Sequence, residues 1–111
     1  MRRGEVYWHR FARPDKKRPV LVLTRSVLGP HLGTVTVAAI TRTIRDVASQ
    51  VRVGPEVGLP QSSAVNLHHV FTLEKASLGP FVTSLPTAIM MQVDTALVFA
   101  LGVGEAQADR D

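Results

Sequence analysis

The chain has 111 residues, a mass of 12.1 kDa and a formal charge of +4. With 45% hydrophobic and 20% charged residues it has the material for one packed domain, and disordered, fibrous and two-domain readings are excluded. Cysteine is absent, which removes disulfide scaffolds, thiolate nucleophiles and Cys-based zinc sites and fits a cytoplasmic protein. No apolar run approaches the roughly 20 residues of a bilayer span. Met1-Arg2-Arg3-Gly4-Glu5 leads into polar and aromatic residues rather than an apolar signal core, so no membrane role is expected.

Taken in chain order, Glu5-Val6-Tyr7-Trp8 reads as a first strand, rich in aromatic and β-branched residues. His9 to Lys17 reads as a loop, with Pro14-Asp15 as turn chemistry. Pro19 to Thr24 is a continuous apolar run that ends in threonine, the pattern of a strand buried on both faces. Gly29-Pro30-His31-Leu32-Gly33 breaks the chain before an alternating strand, Thr34–Ile40, and a second one at Ala48–Val53. Ser63–Leu67 and His69–Leu73 supply one or two more. Short strands at this spacing predict a small, strongly bent antiparallel sheet or barrel. From Thr87 to Leu101 there is neither Gly nor Pro. Ile89, Val93, Ala96, Leu97, Ala100 and Leu101 keep helical spacing, and Gly102 is a suitable stop. Met90, Met91, Val98 and Phe99 widen the apolar stripe. A partner surface and a well-covered core helix both account for that width. Residues 1–104 are expected to form the single domain, and 105–111 a polar tail.

The charge is unevenly placed. Met1 to Arg52 carries 11 basic and 3 acidic residues, whereas Val53 to Asp111 carries 2 basic and 6 acidic. A basic half of this kind suits a polyanion, nucleic acid first; a solvated basic surface is the plainer alternative. Phosphate-loop, dinucleotide and H-E-x-x-H motifs are absent. Adjacent His68 and His69 would point to opposite faces of a strand, so no metal site is expected there. What remains is arginine and hydroxyl chemistry. Arg18, at the mouth of the buried strand, suits bidentate phosphate binding, or pairs with Asp15 at the surface. Thr41, beside Arg42 and Arg45, suits a phosphate oxygen, or caps the strand end. RNA cleavage fits this set. The ribose 2′-OH is itself the nucleophile, and the enzyme need only orient it and stabilise the crowded phosphorane.

Several blocks, in this order and at these separations, resemble the MazF/PemK (Kid-like) toxins of type II toxin–antitoxin systems. They are Arg3-Gly4-Glu5-Val6-Tyr7-Trp8, Arg18-Pro19-Val20-Leu21-Val22-Leu23-Thr24, Val35–Arg45, Gly58–Leu67 and Val93-Asp94-Thr95-Ala96-Leu97 with Ala100-Leu101-Gly102. The resemblance implies a mainly β, α+β fold: an SH3-like barrel of antiparallel strands with a C-terminal helix. It implies a homodimer that cuts short motifs in single-stranded RNA, without metal or cofactor, leaving a 2′,3′-cyclic phosphate and a 5′-hydroxyl. It also implies a cognate antitoxin with an acidic C-terminal segment. The family's catalytic Arg and Thr match Arg18 and Thr41. Lys16, Lys17, Arg42 and Arg45 are then the expected backbone-binding residues, and Asn66 and His68 the reading surface. Three features depart from the family pattern: a short first loop, Ala39 where many members have Pro, and Asn66-Leu67 where many have Asp-Gln. No residue is assigned as general base; His68 is chemically able, and a structural strand histidine is the alternative. Two other readings are a non-enzymatic gyrase poison of CcdB type and a catalytically inactive RNA- or antitoxin-binding module. The first uses a tryptophan at the end of the helix. Here the single Trp is Trp8, and the helix ends Ala100-Leu101-Gly102.

Overall fold

The computed structural model describes residues 1–12 and 16–105. Its elements are β1 (Glu5–Arg10), β2 (Lys17–Val22), β3 (Thr34–Thr41), β4 (Gln50–Val53), β5 (Ser63–Glu74), β6 (Phe81–Ser84) and the helix α1 (Thr87–Leu101). The strands form one antiparallel sheet in the order β4-β5-β3-β2-β1-β6. This is the expected bent, mainly β sheet with a single C-terminal helix.

The apolar run of β2 is buried on both faces, as its sequence predicts. Leu21 and Leu23 enter a large core with Val6, Ile40, Val65, Leu67 and the helix residues Val93 and Ala96. Val20 and Val22 enter a smaller core with Val35 and Val37, covered by Tyr7, Phe11, Phe71, Leu73 and Leu78. Side chains alternate along a strand, so only an unbroken apolar segment can serve two cores at once. Each fully buried Val or Leu contributes roughly 1.5–3 kcal/mol relative to exposure.

The sheet curls until its two edges communicate. β4 and β6 are the edge strands. The turn that follows β4 is held to β6 by the Thr83 hydroxyl, which donates to the Val57 carbonyl at 3.0 Å. Gly58 makes this contact possible. Its φ is +94°, and a Cβ there would lie 2.3 Å from Thr83 Oγ1. Much of the curl comes from β5. Ala38 pairs with Val70 and the next residue, Ala39, pairs with Asn66, so Leu67, His68 and His69 bulge out of the ladder. The bulge flips the strand: Val65 and Leu67 face the larger core, Phe71 and Leu73 the smaller.

α1 closes the larger core with Val93 and Ala96, flanked by Ile89, Met90, Leu97 and Ala100. Gly102 ends it in the left-handed region at φ 65°, with the Val103 amide donating back to Val98. Arg3 ties the helix to the sheet. Its guanidinium donates to the Leu23 carbonyl at 3.0 Å and to Asp94 Oδ1 at 2.7 Å. The wide apolar stripe is only partly used by the core: Met91, Phe99 and Leu101 are 64%, 57% and 59% exposed. No helix among the described residues is long and apolar enough to cross a membrane.

Some expectations are corrected. His9, Arg10 and Lys17 belong to strands rather than to the first loop, because β1 and β2 pair as far as Arg10 with Lys17. The strand expected from Ala48 begins at Gln50. Of the one or two strands expected over Ser63–Leu67 and His69–Leu73, the structure forms one, β5. β6 is not among the expected elements. It has four residues, with Gly79-Pro80 before it and Pro86 after it, and it exists because β1 offers an edge to pair with. Apart from Glu105, the expected tail 105–111 lies outside the described residues, as do Arg13, Pro14 and Asp15.

Leu21 is fully buried. Leu21→Ala is therefore expected to destabilise the protein by about 3 kcal/mol, measured as a lower urea midpoint at an unchanged slope.

Candidate functional site

The candidate site is built at one end of β1, β2 and β3. An open cavity of about 260 Å³ lies there, bordered by Trp8, Lys16, Lys17, Arg18, Arg42 and Gln61. Four of the residues expected to meet phosphate therefore line one concavity. Their proximity follows from the hairpin: Lys17 and Arg18 open β2, directly opposite Arg10 and His9 of β1.

Strand register brings a second group together. Val20 lies opposite Ala39, Ala39 opposite Asn66, and Thr41 opposite Ala64. The β2–β3 pairing ends at Val20 and Ala39; Arg18 and Thr41 each lie two residues beyond it, at the same end of the two strands. Alternation puts Arg18, Val20, Ala39, Thr41, Ala64 and Asn66 on one face of the sheet, the face of the smaller core. Trp8, Pro19, Ile40 and Arg42 alternate to the other side. Thr41 accordingly does not line the cavity, although both its neighbours, Ile40 and Arg42, do. Arg18 belongs to both groups, at the rim between them.

The Thr41 hydroxyl oxygen accepts the Thr43 amide at 3.1 Å. This is the strand-end role weighed for it, and it leaves the hydroxyl hydrogen available to donate. Arg45 does not line the cavity. It sits in the β3–β4 connection, where its amide donates to Gln50 Oε1 at 2.8 Å. That connection is braced further by Arg52, whose guanidinium forks onto Asp46 at 2.8 Å for each bond. The Arg52 hydrogen bonds hold the Asp46 carboxyl below its ordinary value and raise the Arg52 guanidinium in turn.

His68 lies in the β5 bulge, exposed, with Nδ1 2.6 Å from Ser49 Oγ. His69 points away from this pair, onto the Phe71 ring. The Asn66 side-chain oxygen is buried with no hydrogen-bond partner. Trp8 and Gln61, which border the cavity, and Ser49, which holds His68 outside it, are residues that sequence reasoning did not single out. No local signal marks Ser49, whose partner lies 19 residues away. Trp8 and Gln61 fall within the family-like blocks but carry no distinctive chemistry of their own. Among the described residues, no three His, Cys, Asp or Glu side chains group closely enough to hold a metal ion.

Two residues on the same face, Tyr7 and Glu5, have displaced pKa values. Tyr7, opposite Val20, donates to Glu5 Oε1 at 2.8 Å. Burial, then the Glu5 hydrogen bond and charge, push its hydroxyl up to about 12. Burial works against the Glu5 charge, yet bonds from the Arg2 amide and the Tyr7 hydroxyl keep its carboxyl below the ordinary value. Because the folded pKa of Tyr7 exceeds the unfolded one, its contribution to stability is intact below about pH 10. It is lost as pH rises through about 12. Tyr7 is the single tyrosine, so ultraviolet titration reads it alone. Its midpoint is expected near 12, and lower in Glu5→Gln, which removes both the charge and the strong acceptor.

The fold recurs in known proteins. Residues 2–101 match the model of the family described as PemK-like, MazF-like toxin of type II toxin–antitoxin system. Endoribonuclease MazF3 of Mycobacterium tuberculosis is 48% identical over 68 residues, 61% of this chain and 66% of that protein's length. Among solved structures, an endoribonuclease in complex with its cognate antitoxin from Mycobacterial species superposes with a TM-score of 0.85. It is 29% identical and covers 93% of this chain and 96% of its own. Mycobacterium tuberculosis toxin MazF-mt6 gives a TM-score of 0.80 at 36% identity, covering 88% and 96% respectively. With one family model spanning nearly every described residue, and solved relatives sharing the curled sheet and its helix, the chain belongs to the PemK-like, MazF-like toxins of type II toxin–antitoxin systems.

Proposed function

We propose that the protein is a metal-independent endoribonuclease toxin that cuts single-stranded RNA at short sequence motifs in the cytoplasm. A cognate antitoxin with an acidic C-terminal segment would neutralise it by occupying the same basic site. The observation that carries this reading is that Arg18 and Thr41 share one face of the neighbouring strands β2 and β3, with Arg18 bordering a cavity together with Lys16, Lys17 and Arg42. Relatives named as endoribonucleases, one of them solved with its antitoxin, support it.

In this mechanism the 2′-oxygen attacks the adjacent phosphorus and gives up its proton to solvent. The bond from phosphorus to the 5′-oxygen breaks, and the leaving oxygen collects a proton from water held by the guanidinium. The products are a 2′,3′-cyclic phosphate and a 5′-hydroxyl, and DNA, lacking the 2′-OH, is not cut. Arg18 stabilises the charge on the phosphorane, and Thr41 fixes a phosphate oxygen. Lys16, Lys17, Arg42 and Arg45 bind the backbone, while Asn66 and His68 meet base edges. The working unit is a homodimer, supported by the exposed apolar residues Met91, Val98, Phe99, Leu101 and Val103.

Purified protein is expected to cut RNA in excess EDTA. Arg18→Ala should slow cutting by about 10²–10³-fold with an unchanged circular dichroism spectrum. Cutting that requires added divalent metal overturns the mechanism. Gyrase-trapped DNA breaks would instead identify a gyrase poison, and RNA binding without cutting an inactive module.

A further inference from the structure

On the face of the sheet that carries Arg18, four rings form one cluster. His9, the cross-strand partner of Arg18, stands edge to face with Phe11 at 4.9 Å between centroids. Both meet Phe71, at 6.1 Å and 5.8 Å. His69 also meets Phe71, at 5.3 Å and tilted by 39°. The β5 bulge is what brings His69 here from the ladder. Phe11 and Phe71 cover the smaller core, whose valines are already buried. Covering valines explains the phenylalanines. It does not explain two imidazoles, one exposed as His69 is and the other, His9, with its Nδ1 buried and unpartnered. Apolar side chains would cover the valines without leaving a ring nitrogen unsatisfied.

Aromatic rings set among cationic groups are the recurrent means of holding single-stranded nucleic acid: cations follow the phosphates, and ring faces take the bases. We infer that His69 and Phe71, backed by His9 and Phe11, form a stacking shelf for one nucleobase of the RNA strand whose phosphate lies at Arg18. The shelf adds a base-binding subsite to the proposed backbone contacts, and it rests on the RNA-cleaving reading of Arg18 and Thr41. On the same face, Asn66 lies opposite Ala39 and Ala64 opposite Thr41, so the two rows between the rings and the strand end carry short side chains, Ala39 and Ala64.

The test scans a single 2-aminopurine through a 2′-deoxy oligonucleotide, which binds without being cut, and in parallel measures KM and kcat on RNA. Stacking quenches the probe. One probe position should be quenched by the wild-type protein and released in His69→Ala. The same substitution should raise KM about tenfold, within the range for one lost stacked base, with kcat changed less than threefold. His69→Tyr should restore both readouts, whereas His69→Leu should restore neither. Unchanged quenching and KM in His69→Ala overturn the shelf, as does full rescue by leucine, which would mark apolar packing instead. If the wild type cuts no RNA, the cleavage reading falls. The probe still decides the shelf, because position-specific quenching lost in His69→Ala upholds it and no quenching overturns it.

Discussion

Everything at the site depends on the two-sided burial of β2. Four consecutive residues, Val20 to Leu23, serve two different cores. A strand anchored in this way cannot slip by one residue, because a slip would exchange its two faces. It cannot tilt either, because both faces are packed to high density. Arg18 lies two residues before this anchored stretch, with Pro19 between. Its backbone is held by the His9 pairing on one side and by the cores on the other. A guanidinium on such a base loses little freedom when it binds phosphate, which is the condition for electrostatic stabilisation without reorganisation.

The two faces then divide the labour. One is closed by α1 and tied down by Arg3, which reaches both the sheet and Asp94. The helix covers the core with one side, and its outer side carries the exposed apolar residues Met91, Val98, Phe99 and Leu101. The opposite face is closed by rings rather than by a helix. It remains open at its edge, beside Arg18, Thr41 and Asn66. The bulge in β5 links these roles. It turns one long strand from the first core to the second, completes the curl, and carries His68 and His69 to two different surroundings.

The strand pattern, the break at Gly29–Gly33 and the helix with its Gly102 stop were legible in the sequence because each rests on local physics. Alternation, turn residues and helical spacing all act within a few positions. β6 was not legible, since four residues between prolines become a strand only when β1 supplies an edge. The extent of the β1–β2 hairpin was misread for a related reason. His9, Arg10 and Lys17 are polar, and only cross-strand pairing marks them as strand. Of the site, the basic cluster was visible as charge and Arg18 as a residue at a strand mouth. The Ser49–His68 pair, the ring cluster and the Trp8 border to the cavity join residues far apart in the chain and leave no local trace.

By itself, then, the sequence determined the fold class, the two-faced burial of β2, the family resemblance and the sign of the charge, all set by residue type and short-range spacing. The tertiary structure decided which of those charges share a cavity and which side chains share a face. Register sets both, and register is a product of the whole sheet: one bulge in β5 decides that Asn66 lies opposite Ala39 and that His69 meets Phe71. Long-range pairing of this kind follows from packing energy summed over many residues, and no short segment carries it.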